Sequence, residues 1–246
     1  MRRLLLLAGT TEARLLAHAL AARPDLDITA SLAGRTADPV GLGVEVRTGG
    51  FGGTAGLTEH LRSRGVEILI DATHPFAAVM PWHAQRAASA LAVPRLRILR
   101  PRWTERPGDR WTHVATISDA PEALLRVGAT RVLVTTGRTD LGPYAAMTGV
   151  ALFVRSIEPL PVGVVPHAVA ILDRGPFAID AERTLLTTNR IDAIVTKDSG
   201  GDDAKLVAAR ELGIPVVVVD RPSSPPGPMV ADVPAALAWL ADLLMR

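Results

Sequence analysis

The chain has 246 residues, is 48% hydrophobic, carries 27 Lys+Arg against 25 Asp+Glu, and contains no cysteine. This fits two small globular domains or one large one and excludes a disordered chain, a disulfide scaffold, a thiolate metal site and a thiol nucleophile. The basic residues are nearly all arginines, dispersed without a basic block, which argues against a nucleic-acid partner and suits an anionic small molecule whose carboxylate or phosphate a guanidinium can grip.

Residues 4–22 begin with a leucine run behind two arginines and end in alanines, the outline of an export signal. The uninterrupted apolar run extends only from Leu4 to Ala8 before Gly9, two threonines, Glu12 and Arg14, too short for a signal core of about 7–15 residues. A first strand, Leu4–Ala8, turning into a helix, Thr11–Ala22, is the better reading. No run approaches the roughly 20 apolar residues of a membrane span, so the expected location is the cytoplasm.

Short apolar runs then alternate with amphipathic stretches, the signature of βα units and a parallel sheet. Strands are expected at Ile28–Leu32, Val44–Arg47, Ile68–Asp71 and Leu96–Leu99, and helices at Ala55–Arg64 and Phe76–Ala92. Residues 100–119, with two tryptophans and two prolines, read as a linker holding at most one short strand. A helix start follows at Asp119-Ala-Pro-Glu122. Strands are then expected at Val132–Thr135, Leu152–Arg155, Val169–Leu172, Ala193–Thr196 and Val216–Val219. The matching helices are Ile179–Thr188, Asp203–Leu212 and Val233–Met245, with a proline-rich loop over 221–228. LLLLAGTTEA near the start is echoed weakly by VLVTTGRTDL in the second half. The expected fold class is α/β: two Rossmann-like lobes, each a mainly parallel sheet flanked by helices, facing a shared cleft, divided as 1–115 and 116–246. Whether a strand from one lobe completes the other's sheet is left open by the pattern.

Chemistry in such folds gathers where strands end. Gly9-Thr10-Thr11-Glu12 follows a strand and opens a helix, a turn attractive to phosphate, although it is not a G-x-G-x-x-G motif and reads equally as a threonine-capped turn. At the end of the second strand no acid lies between Ile28 and Thr36 to hold ribose hydroxyls. Ser31, Arg35 and Thr36 stand there instead, and an arginine suits a 2′-phosphate, favouring NADPH over NADH. Gly50-Phe51-Gly52-Gly53 permits close backbone approach or is simply a flexible turn. Asp71-Ala72-Thr73-His74-Pro75-Phe76 puts His74 at a sheet edge, as proton donor or nicotinamide neighbour, or else is a turn with Pro75 starting a helix. In the second half, Thr136-Gly137-Arg138 and Lys197-Asp198-Ser199-Gly200-Gly201 follow strands. Lys197, one of two lysines with Lys205, reads as an anion holder or proton source, or as a loop lysine paired with Asp198. Arg155 ends the second lobe's second strand as Arg35 does the first's, so Arg155→Ala is expected to weaken substrate binding. The remaining histidines show no metal-ligand spacing, no Walker motif is present, and Ser199 lacks the G-x-S-x-G elbow. No metal is assigned.

Together, Gly9-Thr10-Thr11-Glu12-Ala13, Asp71-Ala72-Thr73-His74-Pro75-Phe76 and Thr196-Lys197-Asp198-Ser199-Gly200-Gly201, in this order, resemble the precorrin-6A reductase family of cobalamin biosynthesis over nearly the whole chain. Ala8 departs from the family pattern, which has a second glycine there. The resemblance implies NADPH-dependent reduction of one double bond of a polycarboxylated tetrapyrrole, precorrin-6A, to precorrin-6B. It implies a cofactor held by Gly9–Glu12, Ser31, Arg35, Thr36, 50–53 and 73–76. The macrocycle is then held by Thr136, Gly137, Arg138 and 197–201, with His74 or Lys197 as proton donor. It allows transient contact with neighbouring pathway enzymes. Two rivals stand beside it: reduction of the cobalt-containing macrocycle, and a non-catalytic NADPH-sensing module.

Overall fold

The computed structural model describes residues 1–34 and 41–245. The chain splits into two compact units, Met1–Pro101 with Pro222–Arg246, and Arg102–Arg221.

In the first unit, β1 (Arg2–Leu7), β2 (Leu26–Leu32), β3 (Glu45–Thr48), β4 (Ile68–Asp71) and β5 (Arg95–Ile98) alternate with α1 (Thr11–Leu20), α2 (Gly53–Ser63) and α3 (Met80–Ala90). Leu4 to Leu7 are all buried, as in a strand covered on both faces. Leu4 and Leu6 meet Ala13, Leu16, Ala17 and Leu20, the i, i+3, i+4, i+7 face of α1. Leu5 and Leu7 meet Leu57 and Leu61 of α2 and Ala84, Ala87 and Ala88 of α3. The helix expected from Phe76 begins four residues later, because Pro75 and Phe76 form a turn and Pro81 occupies the first turn of α3.

In the second unit, β6 (Trp111–Val114), α4 (Ala120–Arg126), β7 (Arg131–Val134), β8 (Ala151–Ser156), β9 (Val169–Leu172), α5 (Ile179–Thr188), β10 (Ala193–Lys197), α6 (Ala204–Glu211) and β11 (Val216–Val219) follow in order. The chain then returns to the first unit as β12 (Met229–Val230) and α7 (Val233–Leu244).

Both sheets have six strands, in orders β12-β5-β4-β1-β2-β3 and β6-β11-β10-β7-β8-β9, and every pairing is parallel. The two echoing segments are β1 and β7, the equivalent central strands. The division differs from the expected 115/116. Trp111–Val114 pairs with β11 in the second sheet, and the C-terminal residues complete the first. Backbone bonds Arg97 N to Pro228 O, 3.0 Å, and Leu99 N to Val230 O, 2.9 Å, hold the return. The buried Arg95 and Arg97 side chains add bonds to Pro226 O, 2.7 Å, and Ser224 Oγ, 2.8 Å. Among the described residues, no helix is long and apolar enough to cross a membrane.

Arg155 is engaged inside the second unit. It is 8% exposed and forms a two-pronged pair, 2.6 and 2.7 Å, with Glu182 of α5, itself 1% exposed, while its guanidinium lies 4.2 Å from the centre of the Phe177 ring. The expected substrate role gives way to a structural one. Arg155→Ala strands a buried carboxylate and is expected to cost about 3–5 kcal/mol in urea unfolding. Arg155→Met with Glu182→Leu together should cost less than Arg155→Ala alone; equal losses would contradict the buried-pair account.

Candidate functional site

In the first sheet β1 lies between β2 and β4, so the chain leaves β1 in one direction and returns on its other side. The turns after β1 and β4 therefore flank a crevice at the carboxyl edge, the usual ligand position of an open α/β sheet. Gly9, at φ 156°, has no side chain, and a β-carbon there would stand 3.9 Å from the His74 amide nitrogen. The two turns thus run side by side.

Thr10 ties them together. Its hydroxyl accepts from Ala13 N at 3.2 Å, capping α1, and donates to Ala72 O at 2.9 Å. That engages the hydroxyl proton, so the donors left at this helix end are the Thr11 and Glu12 amides. The Glu12 carboxylate faces the Arg100 guanidinium at 3.3 Å. This pairing offsets a negative charge where an anion would otherwise be repelled. Arg100, just beyond β5, is a neighbour of this turn that sequence reading did not single out. Ala8 is buried in the α1-side core, and its amide donates to Ser31 O at 2.9 Å. It follows the last residue of β1 and has no need of glycine's freedom, its φ not being positive.

After β4, fully buried Asp71 accepts from Thr73 N, 3.1 Å, and Thr73 Oγ1, 2.6 Å, shaping the turn. Arg97 stands 3.7 Å from its other oxygen. The His74 ring accepts at Nδ1 from Phe76 N at 3.2 Å. The neutral ring therefore carries its proton on Nε2. Pro75 is buried and Phe76 half-buried beside it.

At the ends of β2 and β3, Ser31 Oγ accepts from Arg47 Nη1 at 2.8 Å. Arg47 also donates to Gly49 O and Gly50 O, at 3.0 and 3.1 Å, and lies over the Phe51 ring at 3.9 Å. Phe51 meets His60 edge-on at 5.0 Å. Burial, then Arg47 and Arg64, holds the His60 pKa below its ordinary value. Gly52 and Gly53 take φ of 76° and 87°, and Gly52 begins α2 without a side-chain cap. Arg35 and Thr36 lie outside the described residues.

The second unit repeats the topology, with β7 between β8 and β10. Thr136 is buried. Beside it the fully buried Tyr144 phenol is pushed up to about 12, chiefly by burial, with the Thr136 hydroxyl acting the other way. Gly137, at φ 98°, leads into a short 3-10 turn, Arg138–Asp140. Lys197 Nζ, at the end of β10, pairs with Asp140 at 2.5 Å. Its partner is thus Asp140 and not Asp198. Asp198 is 3% exposed and accepts from Arg102 Nη1, 3.0 Å, and Trp103 N, 3.3 Å. Its own carbonyl accepts from Arg221 Nε at 2.5 Å. Arg138 pairs with Glu158 at 2.5 Å. Ser199 N donates to Lys197 O at 2.6 Å, and Gly200 and Gly201 turn the chain with φ of 67° and 78°. Trp103 Nε1 donates to Gly201 O at 3.0 Å.

The crevice of the first unit thus brings together Gly9–Glu12 with Thr73–Phe76, while Ser31 and the 50–53 loop gather around Arg47. Thr136–Arg138 and Lys197–Gly201 gather at the corresponding edge of the second unit. Asp140, Arg47 and Arg100 are the members that sequence patterns missed. Each is revealed by its side-chain partner, which no local spacing signals.

A family profile described as Precorrin-6x reductase CbiJ/CobK matches residues 3–241. A precorrin-6A reductase from Rhodococcus erythropolis is 45% identical over 100% of both chains. The solved structure of CobK precorrin-6A reductase superposes with a TM-score of 0.90 at 41% identity, covering 98% of this chain and 97% of that one. A cobalt-precorrin-6A reductase from Priestia megaterium is more distant, 29% identical over 89% of this chain and 90% of the relative.

The 50–53 loop rests on α2 through Gly56, where a β-carbon would overlap the Phe51 carbonyl. Alanine ordinarily gains about 1 kcal/mol over glycine inside a helix. Gly56→Ala is nevertheless expected to lower the thermal midpoint, because the loop must move. A raised midpoint would show that this contact does not constrain the loop.

Proposed function

The chain belongs to the Precorrin-6x reductase CbiJ/CobK family, and on that premise we propose how its two units share the reduction of precorrin-6A in cobalamin biosynthesis. The first unit takes NADPH and the second takes the polycarboxylated macrocycle, which is metal-free precorrin-6A. The observation that carries the cofactor side is the crevice beside β1 where Gly9 lets the two turns approach, with the Thr11 and Glu12 amides at the start of α1 and the adjoining carboxylate paired with Arg100. The stronger identity to precorrin-6A reductases than to the cobalt-precorrin-6A reductase favours the metal-free substrate.

Bound NADPH supplies a hydride. The amides of Thr11 and Glu12 hold its pyrophosphate, and Thr10 keeps their turn in register with Ala72. Ser31 would lie toward the 2′-phosphate, and Arg35 and Thr36 are the further residues we assign to it. Thr73–Phe76 would approach the nicotinamide half, while the 50–53 loop, gathered with Ser31 around Arg47, would line the adenosine end. Thr136, Gly137, Arg138, Lys197 and the 199–201 turn orient the macrocycle through its carboxylates. Asp198 contributes by holding Arg102 and Trp103 in place. Reduction of a double bond also consumes one proton. Two groups stand as candidates to deliver it: Lys197, paired with Asp140, and His74, which would act only as imidazolium, after its Nδ1 gives up the bond from Phe76 N and takes a proton.

NADPH absorbance should fall when precorrin-6A is added, and more slowly or not at all with cobalt-precorrin-6A. Binding without turnover on either macrocycle would contradict an enzymatic role. Loss of a general acid typically costs about 10²–10⁴-fold in rate, so His74→Ala or Lys197→Ala should lose that much kcat. Unchanged kcat in both would remove both as proton donors.

A further inference from the structure

We propose that Arg47 is the residue that distinguishes a 2′-phosphorylated dinucleotide from its unphosphorylated counterpart. The inference rests on the reading of the first unit as the dinucleotide-binding one, and adds to it a specificity residue.

Arg47 on β3 stands in register with Ser31 on β2, at the carboxyl edge. In dinucleotide folds the end of the second strand meets the adenosine ribose, and an acid there would bind its 2′-hydroxyl. Here that position holds Ser31, whose hydroxyl is bound by a guanidinium. An acid is replaced by a neutral side chain and a cation, which inverts the preference from a hydroxyl to an anion.

The charge balance around Arg47 points the same way. Four arginines near carboxyl strand ends face carboxylates: Arg97 with Asp71, Arg100 with Glu12, Arg138 with Glu158 and Arg155 with Glu182. Arg47 faces Ser31 Oγ, two glycine carbonyls and a phenyl ring, all neutral. Among the described residues no carboxylate lies within ion-pair distance of it. Burial lowers its pKa, with no acid acting in the opposite direction. Its positive charge also helps hold His60 neutral, so the surroundings supply no counter-charge.

The guanidinium is held rather than mobile. Three hydrogen bonds and the Phe51 ring fix its plane, and a guanidinium has five N–H donors in all. The donors beyond those three bonds suit a phosphomonoester, whose charge supplies the missing partner. The glycines of the 49–53 segment then serve two ends. Gly49 and Gly50 turn their carbonyls toward Arg47 and add no side chain of their own beside it.

The test is a binding titration of NADPH, NADH, 2′,5′-ADP and 5′-AMP to the full chain, without macrocycle. It compares the parent with Arg47→Met, Arg47→Lys and Arg35→Ala. Arg47→Met keeps a stem over Phe51 and removes the charge. It is expected to weaken NADPH and 2′,5′-ADP about ten- to a hundredfold, the size of a charge-assisted contact, and NADH and 5′-AMP less than about threefold. Arg47→Lys should recover part of the loss. If the parent does not prefer the 2′-phosphorylated ligands, the NADPH reading of the first unit fails. If the parent prefers them and Arg47→Met keeps that preference, or loses all four ligands equally, the inference about Arg47 is overturned and the residue only shapes its loop. Loss of preference in Arg35→Ala alone would assign the role to Arg35.

Discussion

The first unit's site depends on one constraint, the divergence of the chain on either side of β1. Because β2 and β4 flank that strand, the segments that leave β1 and β4 cannot continue as paired backbone beyond the sheet edge. Their amides and carbonyls must find other partners. The Thr10 hydroxyl satisfies one on each side, Ala13 N and Ala72 O, and so fixes the spacing of the two turns. The Thr11 and Glu12 amides, the first two of α1, are not used by that cap. Removal of either neighbouring strand would close or abolish the crevice, whatever residues occupied the loops.

Charge is arranged differently at the two carboxyl edges. In the second unit Lys197 and Arg138 each face a carboxylate, and Asp198 lies among Arg102, Trp103 and Arg221. A polycarboxylate, the proposed ligand there, would compete with internal acids and exchange partners with them. That arrangement favours selection over raw affinity, since desolvated charges are already matched before a ligand arrives. In the first unit Arg47 has only neutral described partners, while Arg100 offsets Glu12. An anion would there supply charge that the protein leaves uncompensated.

Much of the fold was legible because parallel strands must be buried on both faces and their helices on one. The strands at 68–71, 169–172 and 216–219 and the helix at 179–188 fall where the pattern placed them. The return of the C-terminus to the first sheet was not legible. Met229–Val230 is a two-residue strand behind a Pro-Gly-Pro turn, too short for periodicity, and buried Arg95 and Arg97 hold it from far away in sequence. The helix at 233–245 was evident, but a helical pattern does not say which sheet the helix covers.

The site divides in the same way. Glycines and short polar runs at strand ends were visible because their positions follow from strand ends alone. Asp140 beside Lys197, Arg47 beside Ser31 and Arg100 beside Glu12 are tertiary pairings, set by which strands are neighbours. Arg155 shows the opposite error. Its place at a strand end suggested a ligand, while its burial against Glu182 gives it an internal partner.

The central claim is that the carboxyl edge of the first unit holds the dinucleotide. Hydrogen–deuterium exchange of the full chain with and without NADPH tests it most directly. The account predicts slower exchange at Gly9–Ala13, at the 47–57 segment and at Thr73–Ala77, with Thr135–Asp140 and Lys197–Asp203 unchanged. Protection confined to those second-unit segments would contradict it.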